Sequence, residues 1–317
     1  MADAWNTSLT AIRRFFAEII ARLTRWTPGD DSHSSWAQPV KSLSAVPDAY
    51  KSFFGPVLAG GRPFPYAVLA PTFDGYLHPE TEKLVCTLDR AVWILERSGD
   101  AFLSISFPVG TISYLETRTV LLDSHIKITG LTSDGVPAST TLRFNAVTDY
   151  LFTPVLDFIR LAAGERSQNT SVLQSEIFDG WMSASFKFMN YARRSVLGGE
   201  TVVQAVLQPE IRRKVMAFLG MSFYRRVSPS LACILTDWEL ILIREETHQV
   251  AGEKYGGIWD YIPLDKIEKL SLVPRDDGVA VFSVQLPHNE RLEALFELSA
   301  KPGMDRLIDR FMEVRGM

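Results

Sequence analysis

The feature that most constrains this chain is an internal repeat. Shifting the sequence by 138 positions aligns residues 60–71 with residues 198–209, and six of those twelve positions carry the same amino acid. Further blocks follow in the same order at offsets of 147 and 155, and one of them pairs the only two cysteines, Cys86 and Cys233. Because surface loops absorb insertions at modest entropic cost, the growing offset indicates two divergent copies of one large module.

Each copy contains short segments that are rich in β-branched and aromatic residues and are separated by turn signals. In the first copy these segments predict strands at 83–88, 91–97, 102–107, 112–122, 124–130 and 138–145. In the second copy they predict strands near 230–236, 238–245, 257–262, 266–273, 279–286 and 292–299. An amphipathic helix closes each copy, from Val147 to about Gly164 and from about 303 to 314. Six or seven antiparallel strands closed by one helix predict a strongly bent sheet or a partly open barrel.

Two stretches, Trp259–Ser271 and Phe107–Leu115, share a pattern. In each, a proline directly follows a hydrophobic residue, and two more hydrophobic residues come later in the stretch. This pattern resembles a strand of bacterial pleckstrin-homology-like (PH-like) and GRAM-type domains, and the resemblance covers about residues 62–164 and 200–315. It implies a β-rich α+β chain of two tandem PH-like, partly open β-barrels, each with a C-terminal helix. It also implies a binding or scaffolding role instead of an enzymatic one. The expected divisions are an amphipathic helix and linker at 1–46, a first module at 47–166, a connecting helix at 167–199 and a second module at 200–317.

The N-terminal segment 5–26 has apolar residues at alternating spacings of four and three, which predicts one amphipathic helix. Four arginines make its polar side basic. We expect this helix to dock on its own protein or on a second copy, with peripheral membrane contact as the alternative. The residues of its apolar seam are Trp5, Leu9, Ile12, Phe16, Ile19, Leu23 and Trp26.

Between these units, residues 27–46 have the composition of a polar linker. Helices are expected at about 47–58 and, by the repeat, at about 175–196. The second of these helices is rich in apolar side chains that we expect to pack between the modules: Ile177, Trp181, Phe186, Phe188, Met189 and Val196.

The strongest charge feature is residues 187–226, which hold eight cationic side chains against two acidic ones. The first copy has no equivalent, and Pro209 suggests that the extra residues form a short helix. One interpretation is a solvated helix face, and the other is contact with an anionic headgroup or an acidic partner. The candidate contact residues are Arg193, Arg194, Arg212, Arg213, Lys214, Arg225 and Arg226.

The sequence has no phosphate-binding glycine loop and no nucleophile elbow, and its five histidines are scattered without metal-ligand spacing. We therefore predict no catalytic residue, cofactor or metal. The formal net charge of −4 gives no general affinity for nucleic acid. Two cysteines inside apolar strands are expected to be buried free thiols, which favours a cytoplasmic protein, peripheral at the membrane if it binds lipid.

The leading hypothesis is a non-enzymatic protein that engages a partner protein or an anionic membrane surface. One alternative is a self-assembling structural protein, a homo-oligomer driven by the N-terminal helix. A further alternative is an enzyme with a site in the cleft between the modules.

Overall fold

The computed structural model describes residues 36–72, 81–162, 175–218, 221–246 and 256–316. The strands of the first half are β1 Gln38–Val40, β2 Ala67–Ala70, β3 Lys83–Leu88, β4 Ala91–Ser98, β5 Ala101–Pro108, β6 Ile112–Val120, β7 Asp123–Leu131 and β8 Pro137–Asn145. The strands of the second half are β9 Val202–Gln208, β10 Ile211–Phe218, β11 Met221–Ser228, β12 Leu231–Thr236, β13 Glu239–Arg244, β14 Gly257–Pro263, β15 Lys269–Pro274, β16 Val279–Gln285 and β17 Arg291–Glu297. The α-helices are α1 Lys51–Val57, α2 Thr153–Ala162, α3 Phe186–Ser195 and α4 Lys301–Val314.

The described elements follow the same order in the two halves. In the first half β2 to β5 form one antiparallel sheet, β6 to β8 belong to another, and α2 follows. In the second half β9 and β12 to β14 are neighbours, β15 to β17 form a separate sheet, and α4 follows. Each proline of the repeated motif stands at the corner between sheets, since Pro108 and Pro263 each precede a 3₁₀ turn that leads into the next strand. The β-rich, antiparallel character is confirmed, and no closed barrel is present in the described parts of the chain.

One sheet belongs to both halves. Strand β14 pairs antiparallel with β6, from Gly257 opposite Thr119 to Tyr261 opposite Leu115. This pairing joins the last three strands of the first half to the first four of the second, in the order β8-β7-β6-β14-β13-β12-β9. The backbone hydrogen bonds of such a ladder fix the register of the two strands. The two halves are therefore connected as a single β-layer.

The cores explain the strand sequences. Strand β12 is buried on both faces, since α3 covers one face and the second-half core covers the other, and its sequence LACILT is correspondingly apolar at nearly every position. Strand β8 is buried only at alternate positions near its end, and its sequence alternates accordingly. Cys86 and Cys233 are free and fully buried, as expected, and burial raises the pKa of Cys86 to about 12. These thiols serve packing.

Three local predictions were wrong. The linker prediction fails for its described part, because Val40 lies in β1, pairs with Ala67 and is buried in a core. The helix expected at 175–196 is interrupted, with a 3₁₀ segment at Ser175–Trp181 and α3 beginning at Phe186. Within it Phe188, Met189 and Val196 are buried, but against strands of the second half and not between the modules, whereas Ile177 and Phe186 are exposed.

Candidate functional site

The basic segment of the second half is a β-hairpin, so the helix predicted after Pro209 was wrong. Strands β10 and β11 pair antiparallel from Ile211 opposite Ser228 to Phe218 opposite Met221, with irregularities that leave Val215 and Val227 outside the regular register. This two-stranded sheet has no further strand neighbour among the described residues. The hairpin is inserted between β9 and β12, where the first half passes from β2 to β3.

The hairpin is exposed on both of its faces. Lys214 lies opposite Tyr224, and Met216 lies opposite Phe223 on the other face. The side chain of Tyr224 is 62% exposed and that of Met216 is 52% exposed. An isolated two-stranded hairpin is at best marginally stable in water, and apolar side chains on both faces give it no core of its own. This arrangement is typical of a segment that buries its surface against another molecule.

The charges of the hairpin are concentrated near its base. Arg212 faces Arg226 and Arg213 faces Arg225 across the strands, an arrangement of like charges that costs free energy. Glu210 offsets the first of these pairs by accepting hydrogen bonds from both arginines, at 2.8 Å from the Nε of Arg212 and 2.7 Å from the Nε of Arg226.

The second cationic pair is only partly neutralised. Arg213 lies 3.7 Å from Glu297 and donates to the carbonyl of Gly278, contacts that fasten the hairpin base to the turn between β15 and β16. Neither Arg225 nor Lys214 forms an ion pair with any residue that the structure describes. Two cations therefore remain available to an anionic ligand, directly before the apolar part of the hairpin.

The seven predicted contact residues do not form one surface. Five of them lie on the hairpin, but Arg193 and Arg194 lie in the last turn of α3, whereas its first turn lies beside Pro209. Arg193 pairs with Asp179, and Arg194 lines a groove on the shared sheet. The seam of the N-terminal helix, from Trp5 to Trp26, lies outside the described residues and stays a prediction.

The groove beside Arg194 lies at the junction of the halves and has a volume of about 430 Å³. Its floor is formed by β6 and β14, and its walls are formed by α2 and α3. Tyr191 and Trp259 meet edge to face inside it, with ring centroids 4.8 Å apart. Aromatic and hydroxyl side chains line most of its surface, and only a few charged groups reach it.

Below this groove, a buried ion pair joins the two halves. Arg160 of α2 pairs with Glu239 of β13, donates to the carbonyl of Ser195 at 2.7 Å and stacks 3.9 Å above the centroid of the Tyr261 ring. Both members of the pair are less than one-tenth exposed. One adjoining cavity has a volume of only about 10 Å³, which is enough for about one water molecule. The cluster therefore connects the two halves through buried side chains.

Glu200 belongs to the same cluster. Burial, and then the negative charge of Glu239, raise the pKa of Glu200 to about 9. One of its carboxyl oxygens accepts a hydrogen bond from the amide of Leu197 at 3.2 Å, and the other is buried without a hydrogen-bond partner in the described structure. The raised pKa favours the neutral form of Glu200, which reduces the repulsion between its carboxyl group and that of Glu239.

A second charged cluster lies across the β6–β14 ladder, on the opposite face of the sheet. Asp260 is fully buried and accepts from Arg244 at 2.7 Å, while Arg244 also lies 3.6 Å from Glu116. His125 is 2.9 Å from Glu116. Burial raises the pKa of Asp260 to about 6, with a smaller contribution from Glu116, while Arg244 acts in the opposite direction. The acidic groups are matched by cations, as in a structural network.

The described ranges contain neither a metal-binding cluster nor a membrane-spanning helix. No group of three or more histidine, cysteine, aspartate or glutamate side chains there is arranged to hold a metal ion. No helix there combines the length and hydrophobicity needed to cross a bilayer.

Sequence comparison gives no family assignment, since no family model matches the chain and no curated protein sequence matches it. The apolar residues of the hairpin were missed at the sequence level, where only the cations were noted. The available signal was the order of residue types along the sequence, in which cations at 212–214 and 225–226 flank a mainly apolar stretch that contains Gly220.

Proposed function

We propose that this chain is a non-enzymatic tandem PH-like protein that binds an anionic membrane surface through the hairpin of β10 and β11. The observation that carries the proposal is the composition of the exposed hairpin, in which cations at the base give way to apolar side chains toward the turn. Basic residues near an anionic bilayer each contribute about 1 kcal/mol of binding, and apolar side chains beyond them can enter the interface.

The fold supports the PH-like part of the proposal. Apart from β1 and the hairpin, each half has four strands in one sheet, three in a second and a C-terminal helix, with the proline motif at the corner between the sheets. We propose that the halves arose by duplication and that modules at about 47–166 and 200–317 share the scaffold. Among the described residues the hairpin belongs only to the second module, so we assign the binding role to that module and a supporting role to the first.

The proposal is tested by partition into vesicles that contain 30% phosphatidylserine in phosphatidylcholine, with pure phosphatidylcholine for comparison. The variant Lys214→Gln/Arg225→Gln removes the two cations without described ion-pair partners. We expect its partition coefficient on anionic vesicles to fall by about 30-fold, from about 1 kcal/mol per cation, and its salt dependence to become weaker. If the wild-type protein does not bind to anionic vesicles, the proposal is refuted.

The matched control is Lys41→Gln/Lys269→Gln, which changes the net charge by the same amount at two exposed lysines outside the hairpin. Its partition should stay within about twofold of the wild-type value, because only charges close to the bilayer contribute. Equal losses in the two double variants would mean that overall charge, and not the hairpin, governs binding.

A further inference from the structure

A second apolar surface lies at the same end of the shared sheet as the hairpin. The turn between β6 and β7 consists of Leu121 and Leu122, whose side chains are 64% and 62% exposed. The amide of Ala146 donates to the carbonyl of Leu122 at 2.9 Å, which brings the 3₁₀ segment Ala146–Leu151 beside the turn. Val147 and Tyr150 of that segment are also exposed.

The strand register places this turn relative to the hairpin. One row of paired residues crosses all seven strands of the sheet: Arg143, His125, Arg118, Ile258, Arg244, Leu231 and Gln208. Leu121 stands three positions beyond this row on β6, and the hairpin begins at Ile211, three positions beyond the row on β9. Four strand spacings, or about 19 Å, separate the two strands.

Other exposed apolar residues lie at this end of the sheet. The first turn of α3, with the exposed Phe186, lies beside Pro209 and Glu210 at the hairpin base. Nine of the nineteen exposed large apolar side chains in the described structure belong to this end: Leu121, Leu122, Val147, Tyr150, Phe186, Val215, Met216, Phe223 and Tyr224. Isolated apolar residues on a surface need no explanation, but a concentration along one edge marks an interaction surface.

The backbone conformation of Leu121 also indicates that this turn is an interaction surface. Leu121 has φ of +53°, a left-handed conformation that glycine or asparagine adopts at lower cost than leucine does. Because this side chain is mostly exposed, it contributes little to the packing of the fold. The leucine at this position is therefore better explained by contact with another molecule than by a role in stabilising the turn.

We infer that the turn at Leu121 and Leu122, together with Val147 and Tyr150, is a second contact with the same anionic bilayer. The inference rests on the proposed function, because a bilayer engaged by the hairpin meets this end of the sheet. The turn contributes apolar insertion and the hairpin contributes charge. Arg118 and Arg143 do not add free charge beside the turn, because both pair with Asp123.

The first experiment measures insertion into the bilayer at single residue positions. Because both native cysteines are buried, a new surface cysteine can be labelled selectively with an environment-sensitive fluorophore. We compare Leu122→Cys, Tyr224→Cys on the hairpin, and Leu103→Cys on β5 as a control that is 68% exposed in the five-stranded sheet. With phosphatidylserine vesicles, labels at 122 and 224 should shift to the blue and brighten, while the label at 103 should not change.

The outcomes separate the two proposals. A shift at 224 without a shift at 122 overturns the second contact and leaves the hairpin proposal standing. A shift at neither position overturns both proposals, and a shift at 122 alone overturns the hairpin as the binding element. A shift at all three positions, including 103, indicates unspecific adsorption and overturns the second contact.

A second variant tests the energetic contribution. Leu121→Asn/Leu122→Ser replaces both leucines with residues that suit the turn, so the melting temperature should not fall. Partition into anionic vesicles should decrease roughly tenfold because apolar burial is lost, with the salt dependence unchanged. Partition within twofold of wild type, in a protein that keeps its melting temperature, would overturn the inference.

Discussion

Replacing Glu200 by glutamine should make the protein more stable, and more so as the pH rises. The folded-state pKa of Glu200 is raised to about 9 from an ordinary value of 4.5, because the carboxyl group is buried and faces Glu239. At pH values between these two pKa values, Glu200 keeps its proton in the folded protein but has released it in the unfolded chain. The contribution of Glu200 to stability is therefore largest below pH 4.5 and falls as the pH rises through this window.

The magnitude follows from the width of that window. Each pH unit above 4.5 costs about 1.4 kcal/mol while Glu200 stays protonated in the folded state, so the cost reaches at most about 3.5 kcal/mol at pH 7. Glutamine has the shape of the protonated acid, can still accept from the amide of Leu197, and does not titrate. The variant should match wild type near pH 5 and exceed it progressively toward pH 8.

Urea unfolding followed by tryptophan fluorescence at pH 5, 6, 7 and 8 provides the free energies. Glu176→Gln, at an exposed glutamate, is the matched control and should stay within about 0.5 kcal/mol of wild type at every pH. A stability gain in Glu200→Gln that does not increase with pH would refute the reasoning. Such a result would mean that Glu200 is ionised in the folded protein and is stabilised by Arg160.

Three further predictions concern the scaffold. Arg160→Met should cost about 3–5 kcal/mol in chemical unfolding because it leaves Glu239 buried without its cation, and Arg160→Met/Glu239→Met should recover most of that loss; equal losses in both would contradict this account. Gly256→Ala should destabilise by more than about 2 kcal/mol, since its φ is +79° and a Cβ would lie 2.0 Å from a backbone carbonyl oxygen, whereas Gly55→Ala has free space and should not lower the melting temperature. Both cysteine thiols should resist a thiol reagent at pH 8 until denaturant unfolds the chain, and rapid labelling of the folded protein would show that the strands carrying them are accessible.

Local patterning was enough to find most strands. The predicted segments 83–88 and 138–145 match β3 and β8, and 257–262 matches β14 to within one residue. These segments alternate or concentrate apolar residues between clear turn signals, so the local sequence determines them. The repeat then supplied the order of elements in the second half, which the structure shares with the first.

The misplaced elements depend on contacts that are distant in sequence. Arginine, lysine, methionine and alanine after Pro209 favour a helix locally, yet the segment pairs with residues beyond Gly220 and forms a hairpin. Leu121 and Leu122 were assigned to a strand because they are apolar, whereas the chain reverses there and leaves them exposed. The pairing of β6 with β14 has no local signature, since an edge strand has the same alternation as an inner one.

That pairing has a consequence for synthesis of the chain. Thr119 is made about 140 residues before its partner Gly257, an interval of roughly 10–30 s at ordinary translation rates. During this interval β6 is an unpaired edge that carries the backbone donors and acceptors meant for β14, and such edges recruit other strands. The nascent first half thus passes through an aggregation-prone stage that ends only when the second half emerges, which makes this protein a candidate client for ribosome-associated chaperones.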